Sequence, residues 1–248
     1  MPKALIVTNI QREQPGALLD VLENQGWEYQ IINLGDGETS PSVKNFDSFI
    51  VMGGPSSAND TAAQTPWMPS ELSQIQETLA LEIPYLGVCL GMQTLVKAAG
   101  GAVIPSPRKE VGFRASYGQP LGELFFVELT PEGKSDPFFS GLSPSFHLFH
   151  LHGESVELLP TMNPKATLIA TAAVVPMQII RVGKNAYGTQ GHFELTPELL
   201  DIWLKDDPDL QALGETGIAQ VHKDFQELQE EYMKTAHILY TNFLKIAE

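Results

Sequence analysis

The chain has a single cysteine in 248 residues, so it holds no internal disulfide and no zinc or iron–sulfur site built on several thiolates. Cations are also scarce. Fifteen Lys and Arg stand against 30 Asp and Glu, a formal net charge of −15, and they are scattered rather than gathered into a stripe. Binding to a phosphate backbone would run against that field, so nucleic acid is not expected as a partner. No apolar run approaches the roughly 20 residues that cross a bilayer, so no membrane span is expected. The opening MPKALIVTNI lacks the basic start, longer apolar stretch and cleavage site of an export signal, and a cytoplasmic setting is the expectation. There is also no low-complexity tract, linker or internal repeat. With 43% hydrophobic and 18% charged residues, the composition suits one soluble globular domain spanning 1–248.

Residues 4–8 (ALIVT) are a β-favouring run, and apolar residues at helical spacing follow in GALLDVLENQGW up to Gly26. Residues 28–34 and 46–54 read as the second and third strands, the latter ending on two glycines. A helix from about Pro69 to Leu81 then leads to the strand PYLGV. Strands apolar on both faces that alternate with helices predict a parallel sheet covered on each side. Such sheets hold ligands beyond the carboxyl ends of their strands, which singles out the turns MGGPSS and VCLGMQ. Shorter β-favouring runs at 122–129, 166–171 and 177–182 predict hairpins, and an amphipathic pattern over 216–246 predicts a closing helix.

The strand PYLGV runs directly into Gly87-Val88-Cys89-Leu90-Gly91 and then into helix-favouring MQTLVKAA. Glycines two before and two after the cysteine let strand and helix approach closely, while the central residue is forced into a strained, exposed conformation. A cysteine at the amino end of a helix faces the positive end of the dipole, which favours the attacking thiolate. The amide of Leu90 is placed to stabilise an oxyanion. A lone cysteine is more often a small buried hydrophobe, but here the flanking glycines favour a nucleophile.

A thiol nucleophile needs a base, and six histidines compete for that role. His192 stands where a β-favouring run ends, with Glu194 two residues on; residues two apart in an extended segment point the same way, so Glu194 can orient the imidazole. His147, His150 and His152 compete as bases or as a zinc site on one strand face. The sequence positions no further carboxylate or thiol to complete such a site, and no metal or other cofactor is expected. His222 and His237 belong to the terminal helix as surface or packing residues.

Taken together, PYLGVCLGMQ, MGGPSS, LFHLHGESVELLP and AYGTQGHFE resemble the class I glutamine amidotransferases, specifically the amidotransferase domain of GMP synthase, across most of residues 1–197. The resemblance implies Cys89 as nucleophile, His192 as base and acid, and Glu194 as the orienting group. It also implies an oxyanion hole from Gly53, Gly54 and Leu90, and substrate contacts from Gln93, Leu151 and His152. The chemistry implied is attack on a γ-glutamyl amide such as glutamine, a γ-glutamyl thioester, and release of ammonia or an amine. The expected fold is α/β: a flavodoxin-like, doubly wound, mostly parallel sheet with an added antiparallel hairpin region and a long C-terminal helix, residues 206–248 forming a helical extension.

Two departures stand out. The family's Gln-Phe-His-Pro-Glu reads Gln190-Gly191-His192-Phe193-Glu194 here, which implies a re-aimed loop and a role for Phe193 in shaping the pocket. No synthetase domain follows residue 197. That leaves either a separate synthetase partner chain that takes up ammonia or a free-standing hydrolase of γ-glutamyl peptides or conjugates; a non-catalytic binding protein on the same fold is the third reading.

Overall fold

The computed structural model describes residues 1–115 and 122–248. The first half contains β1 (Lys3–Thr8), α1 (Ala17–Asn24), β2 (Glu28–Asn33), β3 (Ser48–Val51), α2 (Met68–Ala80), β4 (Tyr85–Val88), α3 (Leu90–Ala98) and β5 (Ala102–Gly112). The second contains β6 (Val127–Leu129), β7 (Ser145–Phe146), β8 (His150–Glu157), β9 (Ala166–Thr171), β10 (Ile179–Val182), β11 (Ala186–Thr189), α4 (Pro197–Asp206), α5 (Pro208–Gln211) and α6 (Gly214–Ala247).

Nine strands form one sheet in the order β2-β1-β3-β4-β11-β10-β9-β6-β7. The first five run parallel and the last four join antiparallel. This is the expected doubly wound α/β fold with its antiparallel addition and long final helix. The alternation within β1 shows why both faces are covered: Ala4 and Ile6 point into one core, Leu5 and Val7 into the other. On the first face α1 and α6 pack together, with Leu18, Val21 and Leu22 in the same apolar cluster as Leu239, Tyr240 and Phe243. On the second, Ile75 of α2 and Leu95 and Val96 of α3 close the core. Among the described residues, no helix is long and apolar enough to cross a membrane.

The structure corrects several boundaries. The strand expected over 46–54 stops at Val51, which leaves Met52–Gly54 outside the strand at the sheet's carboxyl edge. Of the run at 122–129 only Val127–Leu129 is a strand, with Leu124 forming an isolated bridge to Arg114. The eleven-residue β5 was not expected, because Pro105 and Pro107 speak against a strand. It is tolerated in a separate two-stranded sheet with β8, where the register shifts between Pro105 and Glu110. Helix returns earlier than residue 206: α4 starts at Pro197, where the Thr196 hydroxyl accepts from the Leu199 N–H.

Candidate active site

The carboxyl ends of β1, β3, β4 and β11 deliver Asn9, Gly53, Cys89 and His192 to one edge of the sheet. At the elbow, Cys89 adopts φ 52° and ψ −102°, and Glu82 is the only other described non-glycine residue with positive φ. The close approach of helix to sheet explains the glycines. A Cβ on Gly91 would lie 2.2 Å from the Val51 carbonyl oxygen, and one on Gly87 would lie 2.3 Å from Gly91 backbone. The Cys89 N–H donates to the Thr189 carbonyl at 2.7 Å, tying the elbow to β11. Its Sγ lies 3.8 Å from the Leu151 carbonyl oxygen and 3.6 Å from Gln190 Nε2.

His192 Nδ1 meets Glu194 Oε1 at 2.7 Å, and the second Glu194 oxygen accepts from the Phe193 N–H at 2.9 Å. Both side chains are 1% exposed. Burial disfavours the charged imidazole, but the negative charges of Glu194 and Cys89 outweigh it and hold His192 well above the ordinary histidine value. A side-chain hydrogen bond with Cys89 adds to that rise, and the ring shares a cleft with the thiol. The backbone at this point is pinned from three sides. His192 exchanges both backbone hydrogen bonds with Phe149, at 2.7 and 3.0 Å, and the Tyr232 hydroxyl of α6 donates to its carbonyl at 3.0 Å. Trp203 of α4 stands edge-on to the imidazole with centroids 4.9 Å apart.

The upstream glycines lie close to His192 and Leu90. A Cβ on Gly53 would lie 3.1 Å from His192 Cε1 and 2.2 Å from Glu13 Oε2, and one on Gly54 would meet a methyl of Leu90 at 3.0 Å. Cys89 stands between two clefts. One, of about 380 Å³, is walled by Gln93, Leu151, His152, Glu154 and Lys109; the other, of about 290 Å³, by Arg12, Glu13, His192, Asp207 and Asp209. All nine residues singled out from the sequence thus gather around the elbow. Glu13, Arg12, Asp207, Trp203 and Tyr232 were not foreseen. Arg12 and Asp207 pair at 2.9 Å, and the Trp203 Nε1–H donates to the Arg12 carbonyl at 2.8 Å. Burial pushes Glu13 up to about 7 despite the nearby His192 and Arg12.

Three expectations about histidines and loop residues change. Phe193 does not shape the pocket: it is fully buried under α6, its ring 4.6 Å from that of Tyr240. Gly191 answers to packing, since a Cβ there would lie 2.9 Å from the Leu148 Cβ. The three middle histidines do not share a face: His147 Nδ1 turns to the Phe125 carbonyl at 2.7 Å, while His150 and His152 point inward together. The carboxylate that the sequence did not position for these two is supplied by β5, as Glu110.

Known proteins resemble the chain along most of its length. The chain is 29% identical to the glutamine amidotransferase-like protein YfeJ of Salmonella typhimurium over 192 residues, 76% of this chain and 74% of that one. It is 27% identical to γ-glutamyl peptidase 5 of Arabidopsis thaliana over 223 residues, 89% of this chain and 82% of that one. It is also 27% identical to the GMP synthase of Thermosipho melanesiensis over 195 residues, which is 78% of this chain but only a third (33%) of the synthase. A solved glutamine amidotransferase of Thermotoga maritima superposes with a TM-score of 0.83 over 100% of this chain and 98% of its own, at 21% identity, a likeness of fold. The model of the family "Glutamine amidotransferase class-I" matches residues 16–204, and the chain belongs to that family.

Proposed function

We propose that this chain cleaves a γ-glutamyl amide with a Cys89–His192–Glu194 triad, by way of a γ-glutamyl thioester. One observation carries the reading: a thiol strained into the start of α3 shares a cleft with an imidazole that a buried carboxylate holds at 2.7 Å. Cys89 attacks the γ-carbonyl carbon, and the oxyanion is received by the Leu90 N–H and the backbone of Gly53 and Gly54. His192 gives a proton to the departing nitrogen as the C–N bond breaks. It then takes one from the water that opens the thioester and frees glutamate. Glu194 keeps Nδ1 as the donor and steadies the imidazolium. Gln93 and the backbone of Leu151 and His152 hold the glutamyl group.

The nitrogen must leave on the His192 side, so the leaving group lies in the cleft of about 290 Å³ lined by Arg12, Glu13 and Asp207. That space supports an amine larger than ammonia, and the likeness to γ-glutamyl peptidase 5 supports the same class of substrate. The likeness to part of GMP synthase favours a second reading, in which glutamine is cleaved and a separate synthetase chain takes up ammonia. We also take residues 1–248 as one domain, a reading supported by the Tyr232 contact to His192. We place the reaction in the cytosol, where a lone thiol stays reduced.

The test is a panel of γ-glutamyl amides, glutamine included, given to the purified protein beside Cys89→Ala. Glutamate release is expected from the wild type and is expected to fall at least about a thousandfold in the variant. Labelling of Cys89→Ala by a γ-glutamyl electrophile would sink the triad, because the chain has no second thiol. Activity seen only after an ammonia-consuming enzyme is added favours the second reading.

A further inference from the structure

The β5–β8 ladder pairs Glu110 with His152 and Gly112 with His150. His150 and His152 lie two residues apart on one strand and so share a face, and the Glu110 carboxylate comes in between them. Glu110 Oε2 is 2.9 Å from His152 Nε2 and 3.4 Å from His150 Nδ1, and the three donor atoms lie within 4.8 Å of one another. None of the three residues is more than 4% exposed.

The protonation pattern here leaves a gap. His152 Nδ1 sits 3.1 Å from the Glu154 carbonyl oxygen, which only accepts, so Nδ1 carries the hydrogen and a neutral ring presents a lone pair at Nε2. That nitrogen lies 2.9 Å from a carboxylate oxygen with no hydrogen bond between them, and two such acceptors side by side repel unless something positive lies near both. Glu110 Oε2 accepts from Gln178 Nε2 at 3.3 Å, but Glu110 Oε1, both nitrogens of His150 and His152 Nε2 lack hydrogen-bond partners. Buried polar atoms are normally satisfied, and unsatisfied ones on all three side chains of one cluster call for a ligand.

We propose that Glu110, His150 and His152 bind a divalent transition-metal ion, with zinc the best match. Tetrahedral zinc at its usual bond lengths of about 2.0–2.1 Å separates its donors by about 3.3 Å, close to the spacings of Glu110 to the two rings. The two-imidazole, one-carboxylate set is one that zinc accepts, and a water takes the remaining position. The Glu154 carbonyl then plays the outer-sphere role that fixes a ligating histidine's tautomer. The ion ties β5 to β8 behind the elbow. Leu151, between the two histidines, faces Cys89 with its carbonyl, so the ion fixes one wall of the glutamyl cleft without touching substrate.

The test uses tag-free Cys89→Ser protein, so that the elbow thiol does not compete, stripped with a chelator and titrated with zinc and with cobalt. One zinc per chain is expected, together with tetrahedral cobalt bands free of thiolate charge transfer. Glu110→Gln and His150→Gln are expected to weaken zinc binding about tenfold or more, while His222→Gln on the surface leaves it unchanged. No stoichiometric binding, or binding indifferent to Glu110→Gln and His150→Gln, overturns the site. Should those variants not fold, histidine NMR of the Cys89→Ser chain decides. Zinc that shifts two of the six imidazoles supports the proposal, and imidazoles that respond only to pH mean that a proton holds the site.

Discussion

The nucleophile and its base reach the same cleft by opposite routes. Cys89 is set mainly by residues 85–92, a short strand, two glycines and the first turn of a helix in which it takes φ 52°. The sheet holds this turn through the Thr189 carbonyl and the close approach of Gly91 to Val51. His192 is set by residues distant in the chain. Phe149 holds its backbone, Trp203 stands against its ring, and Tyr232, forty positions on, takes its carbonyl. The elbow is a local motif that the sheet accepts. The base is a tertiary construction, and the segment after residue 197 is part of it.

The sharpest break of this contrast is Gly91→Ala. Its Cβ would sit 2.2 Å from the Val51 carbonyl oxygen, and neither backbone can yield without separating α3 from β3. A loss of about 3 kcal/mol or more is expected in chemical denaturation; an unchanged midpoint would show that the elbow does not depend on the close approach of α3 to β3. Glu194→Gln leaves the fold in place and removes the negative charge that holds His192 charged. A drop in kcat of about a hundred- to ten-thousandfold is expected, with KM little altered.

Tyr232→Phe tests the distant support of the base. Its hydroxyl donates to the His192 carbonyl and accepts from the Leu195 N–H at 3.3 Å, both buried. Losing it is expected to cost about 1–3 kcal/mol of stability and to lower kcat about tenfold at constant KM. A stability loss with kcat intact would mean that α6 supports the fold and not the base.

The same contrast explains what was legible beforehand. The parallel strands, α1 to α3 and the elbow announce themselves through apolar runs and glycine spacing, and the His192–Glu194 pair through its interval of two. Strand β5 did not, because two prolines and a polar middle hide a strand that brings Glu110 to the histidines of β8. Phe193 was misplaced for a related reason. A residue between two site residues looks like a pocket residue, and only the position of Tyr240 on α6 shows that it faces the opposite way. Glu13 gave no signal at all, since nothing in IQREQPG sets it apart from surface polar residues.

Glu13 touches both halves of the comparison, with its carboxyl beside Gly53 and within the field of His192. Burial outweighs the pull of His192 and Arg12 and pushes it up to about 7 from the ordinary 4.5. Between those values the unfolded chain has shed this proton while the folded chain keeps it. The native state therefore binds more protons, and stability falls as pH rises from about 4.5 to about 7. Integrated over the window, the effect is at most about 3 kcal/mol. Glu13→Gln removes the slope, so variant and wild type are expected to melt together near pH 5, with the variant the more stable by pH 8. Activity is expected to change only a few-fold, with any step near pH 7 in the wild-type profile lost. Melting curves that stay parallel from pH 5 to 8 would show that Glu13 is already ionised, held by His192 as an ordinary counter-charge. The base would then draw on a second carboxylate besides Glu194, one delivered by the loop after β1 rather than by its own strand.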